Sequence, residues 1–131
     1  MKLLDTGVLL EFFSGSEEEV DKIDALFREM EKQKEKLLVT EEVVLELVYY
    51  LEQVYGWERE VVADVVNTVL LDSLFSVENR DVVQRAVKLY SSSKLSFLDS
   101  LKSAKAKKRK VKEVLSFNRR FEKAGFKLIS P

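Results

Sequence analysis

The sequence predicts an α/β protein with a central parallel sheet of about five strands and helices on both faces. Five short apolar segments alternate along the chain with longer segments whose apolar residues recur at helical spacing. A strand followed by a helical crossover and another strand is the repeating unit of a parallel sheet. With 131 residues the chain is long enough to bury a core, and we expect one domain over residues 1–131.

The first 80 residues are expected to contain three strands and four helices. Side chains that accept helix amides mark three helix starts, at Asp5 or Thr6, at Ser16 and at Thr40. Gly56 is expected to end the third helix. The predicted strands are residues 2–5, 37–39 and 74–77, and the predicted helices are residues 7–13, 16–34, 41–55 and 57–71.

The last 51 residues are expected to contain three helices and two strands. Glu78 or Asn79 begins a helix that reaches about Tyr90, and a polar loop of three serines follows it at residues 91–93. Ser96 caps a helix from about residue 97, whose end within residues 107–110 the pattern does not define. Residues 111–117 contain a strand, a short helix runs from Asn118 to Gly125, and residues 126–129 form the last strand.

The composition limits the chemistry that this chain can perform. It is 46% hydrophobic and 34% charged, as in globular proteins, but it contains no Cys and no His. Thiol nucleophiles, disulfides, His-based catalytic triads and ordinary zinc sites are therefore excluded. No apolar run approaches the roughly 18 residues of a membrane helix, and the first residues lack a signal-peptide pattern. We expect a cytoplasmic protein that does not enter a membrane.

Charge is distributed unevenly along the chain. Residues 1–80 hold 19 acidic and 8 basic side chains, whereas residues 81–131 hold 4 acidic and 14 basic ones. A solvated surface explains such a run of cations, but a basic surface also attracts phosphates and acidic protein segments. RNA bound this way would be held without base-specific readout and released by salt. The cations in question are Lys102, Lys105, Lys107, Lys108, Arg109, Lys110 and Lys112, with Arg119 and Arg120 as an extension.

Three polar side chains are expected at junctions between a strand and a helix, and a fourth is expected at the margin of a helix. Asp5, Asp99 and Asn118 each suit a helix N-cap or first turn, and Glu46 suits the solvated margin of an amphipathic helix. Taken together they allow another interpretation, because the carboxyl ends of parallel strands meet at one edge of the sheet. Carboxylates gathered there repel one another unless a cation neutralises them. With oxygen ligands alone, Mg²⁺ or Mn²⁺ is the expected ion.

The order of these side chains resembles the PIN domain, the fold of many VapC-type toxin ribonucleases. Residues 3–10 resemble the opening motif Asp-Thr-Asn-Val-Leu, with Gly7 in the Asn position, and residues 40–47 resemble the motif in which Glu follows Ser or Thr by six residues. Residues 96–101 resemble Phe-x-Asp-Ala-Leu, and residues 115–121 resemble Leu-Thr-Phe-Asp-x-x-Phe, with Asn118 in place of the last acid.

This resemblance implies cleavage of RNA that depends on Mg²⁺ or Mn²⁺, a homodimer, and an antitoxin as a protein partner. By analogy Asp5 and Asp99 are the main metal ligands, and Glu46 binds the metal or its waters. Thr6 and Ser116 are polar supports. Because Asn118 carries no charge, it weakens the second metal position, which leaves a catalytically weakened RNA- or protein-binding module as the alternative.

Two further alternatives come from the residues themselves. The aromatic cluster at Tyr49, Tyr50, Tyr55 and Trp57 is either core packing or a face for a second copy of the chain. A phosphoacceptor switch on a similar sheet would carry Asp after its central strand, but the segment 74–77 is followed by Glu78 and Asn79. We therefore expect a nuclease rather than a phosphoacceptor.

Overall fold

The computed structural model describes residues 1–131 as six α-helices and five short strands. The strands are β1 (Lys2–Leu3), β2 (Leu37–Val39), β3 (Phe75–Val77), β4 (Glu113–Leu115) and β5 (Lys127–Ile129). The helices are α1 (Thr6–Ser14), α2 (Glu17–Lys32), α3 (Glu41–Tyr49), α4 (Arg59–Leu71), α5 (Arg80–Ser92) and α6 (Phe97–Lys108). A π-helical turn at Tyr50–Val54 follows α3, and a 3₁₀ helix at Arg119–Ala124 lies between the last two strands.

The predicted α/β class is confirmed, and every strand pair is parallel. The five strands form a three-stranded sheet in the order β1-β2-β3 and a two-stranded sheet of β4 and β5, rather than one sheet of five. The chain divides into two compact units, Met1–Glu78 and Asn79–Pro131. The expectation of a single domain stays a prediction. None of the helices combines the length and the apolar character needed to cross a membrane.

In the unit Met1–Glu78, β2 is the middle strand and both of its outer residues are buried. Leu37 pairs with Phe75 and Val39 with Val77, so two apolar side chains from each strand enter the core. Phe27 of α2 contacts the Phe75 ring edge to face, with the ring centroids 5.5 Å apart. This aromatic contact fixes α2 against the sheet that carries Asp5 at its edge.

A π-helical turn interrupts the long helix that the sequence predicts over residues 41–55. The Tyr55 amide donates to the Tyr50 carbonyl at 3.0 Å, a bond across five residues that widens the turn. The extra residue rotates the chain beyond it, so Leu51 is buried whereas Val54 is 60% exposed. The continuous helix predicted over residues 41–55 is therefore wrong in its last turn, where helical periodicity would place Val54 on the apolar face. Tyr49, Tyr50 and Tyr55 are also exposed, which contradicts core packing for these three rings.

In the unit Asn79–Pro131, α5 and α6 form an antiparallel pair beside β4, β5 and the 3₁₀ helix. Leu95, Phe121, Ala124 and Phe126 form a buried cluster that holds the 3₁₀ helix. Helix α5 continues through Ser92, so the loop predicted at residues 91–93 was wrong in its first two residues. Helix α6 ends at Lys108, and Lys110 adopts a left-handed conformation with φ of 63°.

Candidate active site

The acid of the first motif lies where β1 passes into α1. The Asp5 backbone is extended, and its Oδ1 accepts a hydrogen bond from the Thr6 amide at 2.8 Å. The carboxylate therefore caps α1, as the sequence predicts, and is exposed to solvent. Its Oδ2 forms no hydrogen bond or ion pair. Capping thus uses one oxygen of Asp5 and leaves the other oxygen available to a ligand.

Thr6 connects the first acidic motif to the second. Its side chain is only 5% exposed, and its Oγ1 donates a hydrogen bond of 2.9 Å to Oε1 of Glu46 on α3. The two residues are 40 positions apart in sequence, and the contact sets the direction of the Glu46 carboxylate. Oε2 of Glu46 has no such partner, and the residue remains exposed. The structure thus brings Thr6 and Glu46 together, and Asp5 is adjacent to Thr6 in the chain.

The edge of the three-stranded sheet positions α3 and therefore Glu46. Thr40 follows β2, and its Oγ1 accepts the Val43 amide at 3.3 Å to cap the helix. Glu78 follows β3, and its carboxylate accepts the Glu41 amide at 3.1 Å. The residues after two neighbouring parallel strands thus both bind the first turn of α3. The Thr40 cap is expected from the sequence, whereas the role of Glu78 is not, because its contact depends on strand order.

In the other unit, Asp99 lies in the first turn of α6, which follows helix α5, so the prediction of a strand–helix junction at Asp99 was wrong. Ser96 caps this helix by accepting the Asp99 amide at 3.0 Å, as the sequence predicts. The Asp99 side chain is 23% exposed, and its Oδ1 lies 3.5 Å from the ammonium nitrogen of Lys102. Asp99 therefore already has a positive neighbour on its own helix.

Asn118 contacts Asp99 through its amide nitrogen. Nδ2 of Asn118 donates to Oδ2 of Asp99 at 3.5 Å, and Oδ1 of Asn118 accepts the Arg120 amide at 3.0 Å to cap the 3₁₀ helix. The Asn118 backbone amide donates to Ser116 Oγ at 2.9 Å. In this orientation the Asn118 side chain presents a donor to Asp99, and its oxygen is already engaged. The structure thus brings Asp99, Ser116 and Asn118 together.

A cleft of about 360 Å³ opens beside Asp99 and Asn118. Both polar and apolar side chains line it, and the apolar ones include Val114, Phe121 and Phe126. Within neither unit do three or more acidic side chains lie close enough together to hold a metal ion. The metal site predicted at Asp5, Glu46 and Asp99 therefore stays a prediction.

The predicted basic run does not form one uniform surface. Lys102 pairs with Asp99, Lys107 lies over the Phe126 ring with its nitrogen 4.9 Å from the centroid, and Lys108 pairs with Asp81 at 2.9 Å. Other cations of the run are exposed to solvent, namely Lys105, Arg109, Lys110, Arg119 and Arg120. The run therefore faces several directions around the end of α6.

The parallel α/β fold is of the PIN type, as comparison with known protein families shows. Residues 2–127 match the PIN domain, so the chain belongs to the PIN domain family. It is 56% identical over 131 residues to a VapC ribonuclease of Aquifex aeolicus (strain VF5). That similarity covers 100% of this chain and 97% of the Aquifex protein. No solved structure gives a significant match.

Proposed function

We propose that this protein is a toxin-type endoribonuclease that hydrolyses RNA phosphodiester bonds with Mg²⁺ or Mn²⁺. The observation that carries the proposal is the 56% identity, along the whole chain, to a protein named VapC ribonuclease. Membership of the PIN domain family supports the same activity. Asp5, Glu46 and Asp99 are the proposed catalytic and metal-binding residues, and Thr6, Ser116 and Asn118 support them.

The donor set suits a hard divalent cation. All three acids offer carboxylate oxygens, and the chain has no Cys or His with which to select a softer metal. Asp5 and Glu46 each keep one oxygen free of hydrogen bonds. When bound, such an ion activates a water molecule and stabilises the negative charge that develops on the phosphate.

The surrounding side chains orient these acids. The Thr6 hydroxyl holds one Glu46 oxygen, which leaves the other in a defined direction. The Asn118 amide and the Lys102 ammonium each contact one oxygen of Asp99. Partners of this kind fix the geometry of a ligand before the metal arrives. Thr6 and Asn118 are therefore positioning residues in this proposal.

RNA is proposed to bind through backbone phosphates. The unit Asn79–Pro131 supplies the cations. Electrostatic contacts of this type weaken steeply as the salt concentration increases. They do not distinguish bases, so they give affinity rather than sequence preference. The proposed RNA-binding residues are Lys102, Lys105, Lys107, Lys108, Arg109, Lys110, Arg119 and Arg120.

A specific observation favours a second candidate, a PIN domain that binds RNA or a protein with little cleavage. Where the family pattern carries a fourth acid, Asn118 directs an amide donor at Asp99. The replacement leaves the proposed site with one negative charge fewer, and the amide contact occupies one oxygen of Asp99. RNA binding that persists in Asp5→Asn, with no turnover in the unsubstituted protein, would favour this candidate.

Two protein partners belong to the proposal. As a toxin of VapC type acting in the cytoplasm, the protein would be restrained by an antitoxin. It would also form a homodimer, with the aromatic cluster on α3 and the π-helical turn as the contact face. Tyr49 and Tyr50 are exposed there with their ring centroids 5.7 Å apart. Sedimentation of the unsubstituted protein and of Tyr49→Ser would test this face, because a monomer in both cases contradicts it.

The activity is tested with labelled RNA, with and without Mg²⁺ or Mn²⁺. We expect cleavage that requires the metal and falls by at least about 100-fold in Asp5→Asn and in Asp99→Asn, because each loses a charged ligand. Asp24→Asn is the matched control, since Asp24 is a surface acid on α2 that pairs with Arg28. A folded protein that never cleaves RNA, or equal cleavage by all four proteins, would contradict the proposal.

A further inference from the structure

A second polar cleft lies between the start of α5 and the end of α6, within the unit Asn79–Pro131. Its volume is about 250 Å³. Four cations and one carboxylate face it, together with a single apolar side chain. The residues that line it are Asp81, Val82, Arg85, Lys107, Lys108 and Lys110.

Only part of this positive charge is balanced within the protein. Lys108 pairs with Asp81 at 2.9 Å, and Lys107 lies over the Phe126 ring. Arg85 and Lys110 are exposed, and no other acid lines the cleft. Cations held close together repel one another, and the potential they create attracts an anion.

The lining indicates which kind of anion fits. An Arg guanidinium and several lysines are the groups that bind phosphate oxygens. A protein partner would require apolar or aromatic anchors at the centre of its interface, but Val82 is the only apolar residue lining this cleft. A phosphate group matches the cleft better than an acidic peptide does.

The cleft also shares a helix with the proposed catalytic acid. Asp99 lies in the first turn of α6 and Lys108 is its last residue. At 1.5 Å per residue, nine residues separate them by about 13 Å along the axis. An RNA strand of a few nucleotides can span that distance. We propose that this cleft binds a backbone phosphate of the RNA substrate, an inference that rests on the proposed function.

Asp81 allows a test in which two kinds of substitution should change RNA affinity in opposite directions. Its carboxylate holds Lys108 but also repels an incoming phosphate. Removing its charge should therefore strengthen RNA binding, whereas removing a cation from the cleft should weaken it. A residue that served only to stabilise the helix pair would not produce opposite effects of this kind.

The measurement is binding of a short fluorescein-labelled single-stranded RNA in EDTA, followed by anisotropy over a range of salt concentrations. Each phosphate contact on a single strand contributes about 0.7 to the slope of log K against log salt, or about fivefold in affinity at 0.1 M. Arg85→Gln and Lys110→Gln should each weaken binding by about fivefold and lower the slope by about 0.7. Asp81→Asn should tighten binding by a similar factor.

Matched controls separate the cleft from overall charge. Lys22→Gln and Asp24→Asn make the same charge changes on α2, where both residues form surface ion pairs. Neither should alter the salt slope. Thermal unfolding of each variant verifies that the protein tested is folded.

Three results would overturn the inference. One is unchanged RNA affinity in all three cleft variants. Another is an Asp81→Asn protein that binds RNA no better than the Asp24→Asn control. The third is a polyglutamate peptide that binds the cleft more tightly than RNA of equal charge, which would assign it to an acidic protein. Because binding is measured without metal, loss of cleavage does not affect this test, and its failure leaves the nuclease proposal intact.

Discussion

The hydrogen bond between Thr6 and Glu46 allows a direct test of how this site is positioned. Thr6→Val replaces the hydroxyl with a methyl group of nearly the same size at a side chain that is 5% exposed. The 2.9 Å bond to a carboxylate is lost, and such charge-assisted bonds contribute about 1.5–3 kcal/mol. Because Glu46 is exposed and water can replace the hydroxyl, we expect a stability loss of only about 1 kcal/mol.

The effect on activity should be larger than the effect on stability. Without Thr6 the Glu46 carboxylate can rotate freely, and loss of a partner that orients a ligand typically lowers metal affinity or activity by about 10–100-fold. We expect the rate of RNA cleavage by Thr6→Val to be lower than that of the unsubstituted protein by a factor in that range. Thr6→Ser keeps the hydroxyl and should retain most of the activity.

The assay compares initial rates of RNA cleavage over a metal titration, with urea unfolding of the same samples. In the double variant Thr6→Val/Glu46→Gln, the Thr6 change should cost little beyond the Glu46 change, because both remove one interaction. Full activity in a folded Thr6→Val protein would refute the reasoning. So would equal losses in the Val and Ser variants, since only the Val variant lacks the hydroxyl.

Three other predictions concern single residues. Asn118→Asp adds a carboxylate beside Asp99 and should raise the affinity for Mn²⁺ by at least about tenfold. Calorimetry without RNA measures this affinity. Weaker Mn²⁺ binding would show that the amide contact contributes more to the site than the added charge. Gly125 has φ of 92°, so Gly125→Ala should lower the free energy of unfolding by about 1 kcal/mol. The control Gly7→Ala, in α1, should not lower it. Equal urea midpoints for the two variants would contradict this prediction. The Met1 ammonium hydrogen bond lowers the pKa of Glu35, so its stabilising contribution is present above the ordinary carboxyl pKa of about 4.3 and is lost as the pH falls through the lowered value. The melting temperature of Glu35→Gln should therefore fall less than that of the unsubstituted protein as the pH is lowered. An unchanged dependence of melting temperature on pH would exclude this role of Glu35.

The helix starts could be predicted because capping is a local property. The side chains of Ser16, Thr40 and Ser96 each accept the amide three residues ahead, as expected from the sequence. Gly125 ends the 3₁₀ helix in a left-handed conformation, also as expected. Such features depend on a few neighbouring residues, so the sequence contains the information needed to find them.

Other features depend on contacts between distant residues, and the sequence did not reveal them. The π-helical turn changes the direction of Val54 without changing the order of apolar residues, so periodicity alone predicts a continuous helix. Helix α5 includes the first two of the three serines and ends at Ser92, and the hydroxyl of the capping residue Ser93 accepts the Leu95 amide. Nor does the sequence reveal that Thr6 binds Glu46, because this contact joins residues 40 positions apart.

The contacts of Asp99 determine how the proposed site differs from one with four acids. In its own unit the Asp99 charge is offset by Lys102 at 3.5 Å, and Asn118 adds a donor but no charge. A metal that binds Asp99 must therefore compete with two existing contacts, whereas Asp5 and Glu46 have no cation paired with them. The uncompensated negative charge of the proposed site accordingly lies in the first two motifs. We therefore expect Asn118 to weaken metal binding both by occupying an oxygen of Asp99 and by lacking a carboxylate, so Asn118→Asp should reverse both effects together.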